Sequence, residues 1–556
     1  MRTERLRPAA GAAARFGTIA AALLTLAVAP AAFAVGSTGH RAAHQGLLLL
    51  ARTQQGRLRG IAAGVVAAYL GVPYAAPPLG GNRWRAPQPP ASWGGVRVAN
   101  QHPPSCYQPL TPHGFGPWTA EYVVQGAISE NCLYLNIWTP APNGPAAQVR
   151  AERLPVLLWI HGGGFTTGSG SIPIYDGAAL AAHGIVVVDV NYRLGVFGFL
   201  AHPALSARAP QHVSGNYGLL DIVAALRWLH ANVAAFGGDP HAITIAGQSA
   251  GAAAVIDLDV SPLADGLYAR AIAESGAGLN LPTATLAAAE QAGEQFARAH
   301  GARTLAALRA LPAARLSGGP PGAQRGFAPI VDGWVLPQAP AQLLAAGRFH
   351  RTPFLTGMVA DENSAMTPTY QHQSAAQCEA TLERLFGAQL ATFHKLYWQP
   401  GSGTDCTTPL QQLLRDRGLA ATWQWAQTRA AQGSPLIYLY LYDHPEPGPD
   451  ASRYGAFHSS EIPYVFETLN ASPARPFTVR DRAICAVMSA YWLNFVKRGN
   501  PNGEQLPHWP PVAPDNPQIM ELGNGFGPRP LLGEEGAARL RALRGFLAAG
   551  GRAGLL

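Results

Sequence analysis

The stretch TIAGQSAGAAAV, residues 244–255, decides the fold because it places Ser249 inside a G-x-S-x-G pentapeptide. Isoleucines at alternate positions before it predict a buried strand, and the alanines after it predict a helix. In such a strand–turn–helix, Gly247 and Gly251 leave room for a tight turn that exposes the serine hydroxyl. An isolated match is also compatible with an ordinary turn, since the chain has 62 glycines. Because both flanking patterns are present, we interpret Ser249 as a nucleophile.

A second motif lies upstream, where the apolar run LPVLLWIHGGGF, residues 154–165, ends in three consecutive glycines. Such a loop presents backbone N–H groups that no side chain covers. Together with the N–H that follows a nucleophilic serine, they bind the oxygen that becomes negative during acyl transfer. We therefore predict an oxyanion hole formed by Gly163, Gly164 and Ala250. The alternative, a flexible turn that binds nothing, is disfavoured because the two motifs occur together.

Longer segments extend the pattern: GVPYAAPPLGGNRWRAPQPPASW (71–93), SENCLYLNIWTP (129–140), VNYRLGVFGFL (190–200) and GNYGLLDIVAALRWLHANVAAFGGDP (215–240). With these segments, the sequence resembles the type B carboxylesterases, the family that includes the cholinesterases and several fungal lipases. The resemblance covers most of the chain. It implies an α/β-hydrolase fold, with a mostly parallel central sheet covered by helices. The alternation of strand-like and helical runs favours the same α/β class.

The resemblance also identifies an acid loop, GMVADEN (357–363), and a histidine loop, GAFHSSEIPYVF (455–466). They supply Glu362 and His458, in the order serine, acid, histidine that this fold uses. His458 would remove the serine proton, and Glu362 would accept a hydrogen bond from the other imidazole nitrogen. Only its loop distinguishes His458 among 17 histidines. Asp361, beside Glu362, is predicted to make local loop hydrogen bonds.

Two further positions are predicted to support the site without reacting. Gln248 stands where the resembled family usually has glutamate, so a negative charge is missing. Its absence argues against choline esters and for neutral esters. Ser275, in AIAESGAG, matches a family serine that supports the acid residue. From the sequence, a cap at a helix end is an equal alternative.

The N-terminus predicts a secretory signal peptide over residues 1–34. Four arginines precede the apolar stretch TIAAALLTLAVAP, and the sequence AFA ends at Ala34, where we predict cleavage. A transmembrane anchor is the alternative, but the apolar run is shorter than the ~20 residues that a span requires. We therefore predict a secreted or periplasmic protein without a membrane anchor. Residues 35–51 would form a leader, and residues 52–550 a single catalytic domain.

Helical patterns are predicted at three places outside the sheet. The regions 281–316 and 364–433 would form the cap and the walls of the active-site gorge. In this fold such regions choose the substrate, and the resemblance is thinnest there, so the sequence leaves the natural substrate open. The last run, EEGAARLRALRGFL, places Leu540, Leu543 and Leu547 at helical spacing and is predicted to pack on the outside of the domain.

The net charge and the motifs of the chain limit the classes of molecule that it is predicted to bind. Removal of four arginines and one glutamate with the signal peptide lowers the net charge from +8 to +5. No cluster of lysine and arginine lies on a candidate recognition helix, so we predict no nucleic-acid binding. No zinc-type Cys/His spacing, EF-hand loop or phosphate loop occurs, so no metal or cofactor is implied. The predicted partner is a small-molecule or polymeric ester, and the protein is predicted to be a monomer.

Five cysteines in an exported protein suggest disulfides. The resemblance pairs Cys106 with Cys132, whose loop would lie over the rim of the gorge. Cys378 and Cys406 flank a predicted helical insertion, and we pair them as well. Cys485 lies in an amphipathic helical pattern and is predicted to be a buried free thiol.

Other side chains are predicted to shape the protein around the site. Phe115, Trp118 and Tyr122 either line the gorge entrance or pack against the core, and the sequence favours neither. The resemblance also suggests structural ion pairs, Arg83 with Glu130 and Arg193 with Asp221.

The sequence therefore predicts a secreted serine carboxylesterase that hydrolyses neutral carboxylic esters through an acyl-enzyme. An esterase for polymers or bulky natural-product esters would use the same centre. A lipase would need a large apolar lid, for which the proline- and glycine-containing loop 106–132 is poorly suited. A non-catalytic binding member of the fold is disfavoured by the intact Ser249, Glu362 and His458.

Overall fold

The computed structural model describes residues 46–278, 283–318, 326–367, 370–402, 405–448, 450–513 and 515–551. The predicted signal peptide, 1–34, and residues 35–45 of the predicted leader lie outside the described residues. From Gly46 onward, the described residues form one compact unit.

Strands and helices alternate along most of the described chain. The strands are β1 (Leu50–Arg52), β2 (Arg57–Arg59), β3 (Ile61–Ala63), β4 (Val66–Pro73), β5 (Val96–Val98), β6 (Ser105–Cys106), β7 (Ile128–Ser129), β8 (Tyr134–Thr139), β9 (Leu154–Ile160), β10 (Val186–Val190), β11 (Gly238–Gln248), β12 (Arg270–Glu274), β13 (Ala284–Thr285), β14 (Ile330–Val331), β15 (Phe354–Val359), β16 (Ile437–Tyr442), β17 (Gln518–Leu522) and β18 (Phe526–Pro530). The α-helices are α1 (Ala146–Ala151), α2 (Ala178–Ala182), α3 (Gly195–Phe199), α4 (Pro203–Ser206), α5 (Tyr217–Asn232), α6 (Ala250–Val260), α7 (Leu286–Ala299), α8 (Leu305–Ala310), α9 (Ala313–Leu316), α10 (Pro340–Ala345), α11 (Ala375–Phe386), α12 (Leu390–Leu396), α13 (Thr407–Ala431), α14 (Ala451–Tyr454), α15 (Ile462–Val465), α16 (Val479–Arg498) and α17 (Ala537–Ala548).

One sheet of eleven strands forms the centre, in the order β18-β17-β16-β15-β12-β11-β9-β10-β8-β4-β3. The seven strands from β17 to β10 are parallel, and antiparallel strands complete both edges. Helices on both faces explain why β9 (LPVLLWI) and β10 (VVVDV) are nearly continuous apolar runs. The predicted α/β-hydrolase fold is confirmed.

The two faces of the sheet contact different helices, because side chains alternate along a strand. A Cβ on Gly247 would lie 2.6 Å from Gly251 in α6, whereas the Glu274 side chain accepts a hydrogen bond from Trp492 in α16. Gln248, and not Gly247, is the register partner of Glu274. Helices α6 and α16 therefore cover opposite faces. The loops after β9, β11, β15 and β16 leave the carboxyl ends of parallel strands, where ligands bind in open α/β sheets.

Both of the regions predicted to be helical contain helices. The first contains α7, α8 and α9, and the second contains α11, α12 and α13. The C-terminal run forms α17, in which Leu540 and Leu543 are buried as predicted. Leu547 is partly buried and packs against the core, and Phe546, three residues after Leu543 on the same helix face, is buried as well.

Helix α5 and the turn after it, Tyr217–Phe236, form the one described helix that is long and apolar enough to cross a membrane. Of this stretch, 67% is buried inside the protein. Because a buried core helix can have the same length and hydropathy, these two properties are weak evidence for a membrane span.

Both suggested ion pairs are present. Arg83 Nε donates to Glu130 Oε2 at 2.7 Å, and Arg193 Nε donates to Asp221 Oδ2 at 2.7 Å. The second pair is buried. It ties the end of β10 to α5, the core helix, and so holds the scaffold under the site.

Candidate active site

Ser249 lies in the turn between β11 and α6, with a backbone conformation that few residues adopt. Its φ is +59° and its ψ is −122°, outside the regions that side chains usually allow. The turn is possible because glycines stand two residues before and two residues after Ser249: a Cβ on Gly251 would lie 1.9 Å from the Ile160 carbonyl oxygen. The Ser249 N–H donates to Glu274 O at 2.9 Å. The strand-to-helix turn is thus fixed against β9 and β12, and the serine side chain is partly exposed.

The glycine loop after β9 lies beside this turn. A Cβ on Gly162 would lie 3.1 Å from Ser249 Cβ. Gly163 has φ +106° and Gly164 has φ +62°, conformations that favour glycine, and both are exposed. Within the described part of the chain, the N–H groups of these two glycines and of Ala250 donate to no protein acceptor. The predicted oxyanion donors are therefore unengaged next to Ser249.

Two buried side chains, which the sequence did not reveal, hold the glycine loop. His161 stacks on Tyr192, with ring centroids 4.5 Å apart. Burial lowers the pKa of His161 to about 4, so the neutral ring donates from Nδ1 to Gly162 O at 2.8 Å. Further along, Gln108 Nε2 donates to Gly168 O at 2.8 Å, and the Gly168 N–H donates to Gln108 Oε1 at 2.7 Å. These contacts fix the loop at both ends.

Glu362 and His458 meet although they are 96 residues apart. Glu362 follows β15, and His458 lies in the loop after β16. His458 Nδ1 donates to Glu362 Oε2 at 2.5 Å, and the Val359 N–H donates to Glu362 Oε1 at 3.0 Å. Both side chains are buried, with 2% of Glu362 and 6% of His458 exposed. A carboxylate bound to Nδ1 selects the tautomer whose Nε2 accepts protons.

The Nε2 atom of His458 faces the strand-to-helix turn around Ser249, here called the elbow. Gln248 Nε2 lies 3.2 Å from it, and because Nδ1 carries the ring proton, the Gln248 amide is the donor. Gln248 directly precedes Ser249. The imidazole therefore lies against the residue next to the predicted nucleophile.

The described residues thus bring a hydroxyl, an imidazole held by a carboxylate, and free N–H groups to one end of the sheet. This combination is suited to acyl transfer. Among the described residues, no group of three or more His, Cys, Asp or Glu side chains is arranged to hold a metal ion.

The amino-acid pattern that defines the Carboxylesterase family matches residues 49–530. The chain belongs to the carboxylesterase family. It is 37% identical over 494 residues to the fumonisin B1 esterase of Sphingopyxis macrogoltabida. The matched region covers 86% of this chain and 87% of that esterase. It is 33% identical over 552 residues to the cocaine esterase of Homo sapiens, covering 92% and 91%. It is also 34% identical to human neuroligin-2, of which it spans 62%. The protein is a carboxylic-ester hydrolase.

The carboxylesterase contains both predicted disulfides, Cys106–Cys132 and Cys378–Cys406. Cys485 is the buried free cysteine that the sequence predicts. Burial raises the pKa of the Cys485 thiol to about 12, so this thiol is neutral and unreactive at ordinary pH.

The aromatic residues of the first disulfide loop differ in burial and in contacts in this carboxylesterase. Phe115 is 58% exposed, whereas Tyr122 is buried and donates to Glu446 Oε2 at 2.8 Å. Trp118 Nε1 donates to His458 O at 3.0 Å. The indole therefore links the disulfide loop to the backbone of the histidine loop, a contact that the sequence pattern did not predict.

Ser275 lies one residue beyond strand β12, so the alternative that it caps a helix end is wrong. Its N–H donates to Gly357 O at 2.9 Å. Its buried hydroxyl has no hydrogen-bond partner within the described residues. The predicted support of Glu362 by this hydroxyl is therefore not made as a direct bond. Strand β12 ends at Glu274, and Ser275 begins a tight turn, with φ +55°. A strand, and not a helix, therefore precedes this serine.

Two buried carboxyl groups lie on the α16 side of the sheet, close to the site. Burial raises the pKa of Glu274 to about 8, although its Oε1 accepts from Trp492 Nε1 at 2.7 Å. Burial, followed by the charges of Glu274 and Glu362, raises the pKa of Glu461 well above its usual value. Burial therefore favours the neutral form of both groups.

Proposed function

We propose that this carboxylesterase acts through an acyl-enzyme formed on Ser249. His458 Nε2 removes the hydroxyl proton as Oγ attacks the ester carbonyl carbon. The N–H groups of Gly163, Gly164 and Ala250 stabilise the negative oxygen of the tetrahedral intermediate. The imidazolium then returns the proton to the alkoxy oxygen, the C–O bond breaks and the alcohol leaves. Water, deprotonated by the same nitrogen, attacks the acyl-enzyme and releases the acid.

The observation that carries this proposal is the 2.5 Å bond from His458 Nδ1 to Glu362 beside the elbow turn. Glu362 stabilises the imidazolium and does not itself take the proton. In the free protein Nε2 accepts from Gln248 at 3.2 Å. On substrate binding, the serine hydroxyl replaces that amide as the partner of Nε2, since catalytic hydrogen bonds tighten in the substrate complex.

The proposed substrates are neutral carboxylic esters. The amide of Gln248 is uncharged, and burial raises the pKa of the neighbouring Glu274 carboxyl to about 8. The residue before the serine therefore supplies no fixed negative charge that would attract a cationic alcohol group such as choline.

A second candidate within the same chemistry is a bulky natural-product ester. The similarity to the fumonisin B1 esterase, at 37% identity over 494 residues, favours it. A non-catalytic binding member of the same fold is the remaining alternative. The present chain carries the full set of groups that acyl transfer requires, so we favour catalysis.

We further propose that residues 52–550 form a single catalytic domain, secreted or periplasmic after cleavage at Ala34. The protein would be a monomer without a membrane anchor. The two disulfides support export, since such bonds persist in oxidising compartments.

The test is hydrolysis of p-nitrophenyl esters with acyl chains from two to sixteen carbons, together with fumonisin B1, by the mature protein and its Ser249→Ala variant. We expect serine-dependent cleavage that favours short chains. Cleavage of fumonisin B1 that exceeds that of simple esters would select the natural-product candidate. A maximum at long chains would indicate a lipase. If Ser249→Ala kept near-wild-type activity, Ser249 would be removed from the mechanism.

A further inference from the structure

Asp361 joins the two loops that carry Glu362 and His458. Its N–H donates to Ala456 O at 3.0 Å, and its Oδ2 accepts from the Ala456 N–H at 2.9 Å. The backbone and the side chain of one residue therefore both bind Ala456. Since Asp361 precedes Glu362 and Ala456 lies two residues before His458, this double contact sets the spacing between the two loops at their reacting ends.

The histidine loop lies as close to this carboxylate as a polypeptide backbone allows. Gly455 has φ +58°, and a Cβ at this position would lie 2.1 Å from Asp361 Oδ2. A side chain would therefore force the loops apart. Gly455, the first residue of GAFHSSEIPYVF, therefore has a physical role: without a side chain, it lets the histidine loop approach the Asp361 carboxylate of the acid loop.

The other carboxylate oxygen is held by two side chains from the second helical region. Tyr370 OH donates to Asp361 Oδ1 at 2.5 Å, and Arg415 Nη2 donates to the same oxygen at 3.0 Å. Arg415 Nε also donates to Ala360 O at 2.8 Å. Helix α13, which carries Arg415, therefore fixes the position of the acid loop, and the carboxylate connects α13 to the histidine loop.

We propose that Asp361 is a positioning residue that sets the geometry of the Glu362–His458 pair. The inference rests on the proposed function, because it assigns a role to that pair in turnover. Asp361 touches neither substrate nor reacting atoms. It acts by holding two loops in register, and a displacement of about 1 Å between reacting groups lowers turnover by about a hundredfold.

The diagnostic variant is Asp361→Asn. An amide has one acceptor oxygen, whereas three donors, the Ala456 N–H, Tyr370 OH and Arg415 Nη2, point at the two carboxylate oxygens. The amide nitrogen would therefore face at least one donor, and the loops would separate. We expect kcat for p-nitrophenyl butyrate to fall about tenfold to a hundredfold, with KM within about twofold of the wild type.

The matched control is Asp416→Asn. Asp416, on α13, likewise accepts from a tyrosine, Tyr397 OH at 3.0 Å, and forms an ion pair with an arginine, Arg539 Nε at 3.2 Å, but it contacts neither the acid loop nor the histidine loop. We expect a similar loss of thermal stability in both variants and an unchanged kcat in Asp416→Asn. Equal kcat in the two variants would overturn the inference.

A second measurement separates positioning from a general structural role. In a Glu362→Gln background, Asp361→Asn should lower kcat by less than about twofold, because the contact that it positions is already broken. A loss of the same factor in both backgrounds would overturn the proposal. The far-downfield proton resonance of the His458 Nδ1–H bond should weaken or shift in Asp361→Asn and stay in place in Asp416→Asn.

Failure of the proposed function gives a different pattern. If Ser249→Ala hydrolyses p-nitrophenyl butyrate as fast as the wild type, the assigned nucleophile is wrong. If Ser249→Ala is inactive and Asp361→Asn has the same kcat as Asp416→Asn, the assigned function stands and the positioning role of Asp361 is wrong.

Discussion

Gln248 places a neutral amide directly before the proposed nucleophile and within hydrogen-bond distance of the base. The amide donates to His458 Nε2 at 3.2 Å, so it contributes geometry without charge. A carboxylate at this position could not donate that bond, and it would add a negative charge beside the reacting centre. At the scale of one residue, we therefore propose that the choice between amide and carboxylate sets which ester charge the site accepts.

We expect Gln248→Glu to raise the preference for cationic esters about tenfold. At an effective dielectric constant of about 20, unit charges about 8 Å apart attract by about 2 kcal/mol, and solvent screening reduces this. The measurement is the ratio of kcat/KM for butyrylthiocholine to that for its neutral 3,3-dimethylbutyl analogue. Gln399→Glu, which adds the same charge at an exposed position, is the control. An unchanged ratio in Gln248→Glu would mean that this residue does not face the alcohol group.

At the scale of elements, the loop closed by Cys106 and Cys132 touches both halves of the site. Gln108 binds the backbone of Gly168 at the end of the glycine loop, and Trp118 binds the backbone of His458. The loop therefore does more than cover the entrance. It fixes the separation between the proposed oxyanion donors and the proposed base.

Removal of this disulfide, in Cys106→Ser with Cys132→Ser, should lower both stability and turnover. A loop of 26 residues gives an expected stability loss of about 3 to 4 kcal/mol, and kcat should fall at least about tenfold because both contacts loosen. Cys378→Ser with Cys406→Ser opens a loop of similar length, 28 residues, away from Gln108 and Trp118. This second double variant should lose a similar free energy of unfolding, but its kcat should fall less than that of the first. Thermal unfolding measures the stability, and hydrolysis of p-nitrophenyl butyrate measures kcat. Equal kcat losses would contradict the role of the first loop.

Some of these elements could be predicted from the sequence, and others could not. The strand–serine–helix and strand–glycine patterns are local, so β11, α6, β9 and the loop between them followed from a few adjacent residues. Glu362 and His458 came from the family resemblance, because no spacing rule joins residues 96 positions apart. The contacts of Gln108 and Trp118 were missed because their loop has no periodic pattern and meets its partners only in the folded chain. His161 had a signal, since it directly precedes the three glycines.

At the scale of the whole molecule, the sheet and its helices bury several carboxyl groups. Burial raises the pKa of Asp257, Glu274 and Glu446 to about 8 in each case, and raises that of Glu461 well above its usual value. The folded protein therefore holds protons that the unfolded chain releases at lower pH. Each such group contributes stability that is fully present below its unfolded pKa and is lost as the pH rises through its folded pKa.

Glu274 allows this to be tested at one position. Its pKa rises from 4.5 to about 8 on folding, so the wild type should lose about 1.4 kcal/mol per pH unit from this group between those values. Glu274→Gln keeps an acceptor for Trp492 Nε1 and has no proton to lose. Relative to the wild type, the variant should therefore become more stable as the pH rises from 5 to 9. Denaturant midpoints across this range measure the difference, with the exposed Glu504→Gln as the control. Parallel curves for wild type and Glu274→Gln would mean that Glu274 is ionised in the folded protein, which requires a compensating positive group or solvent beside it.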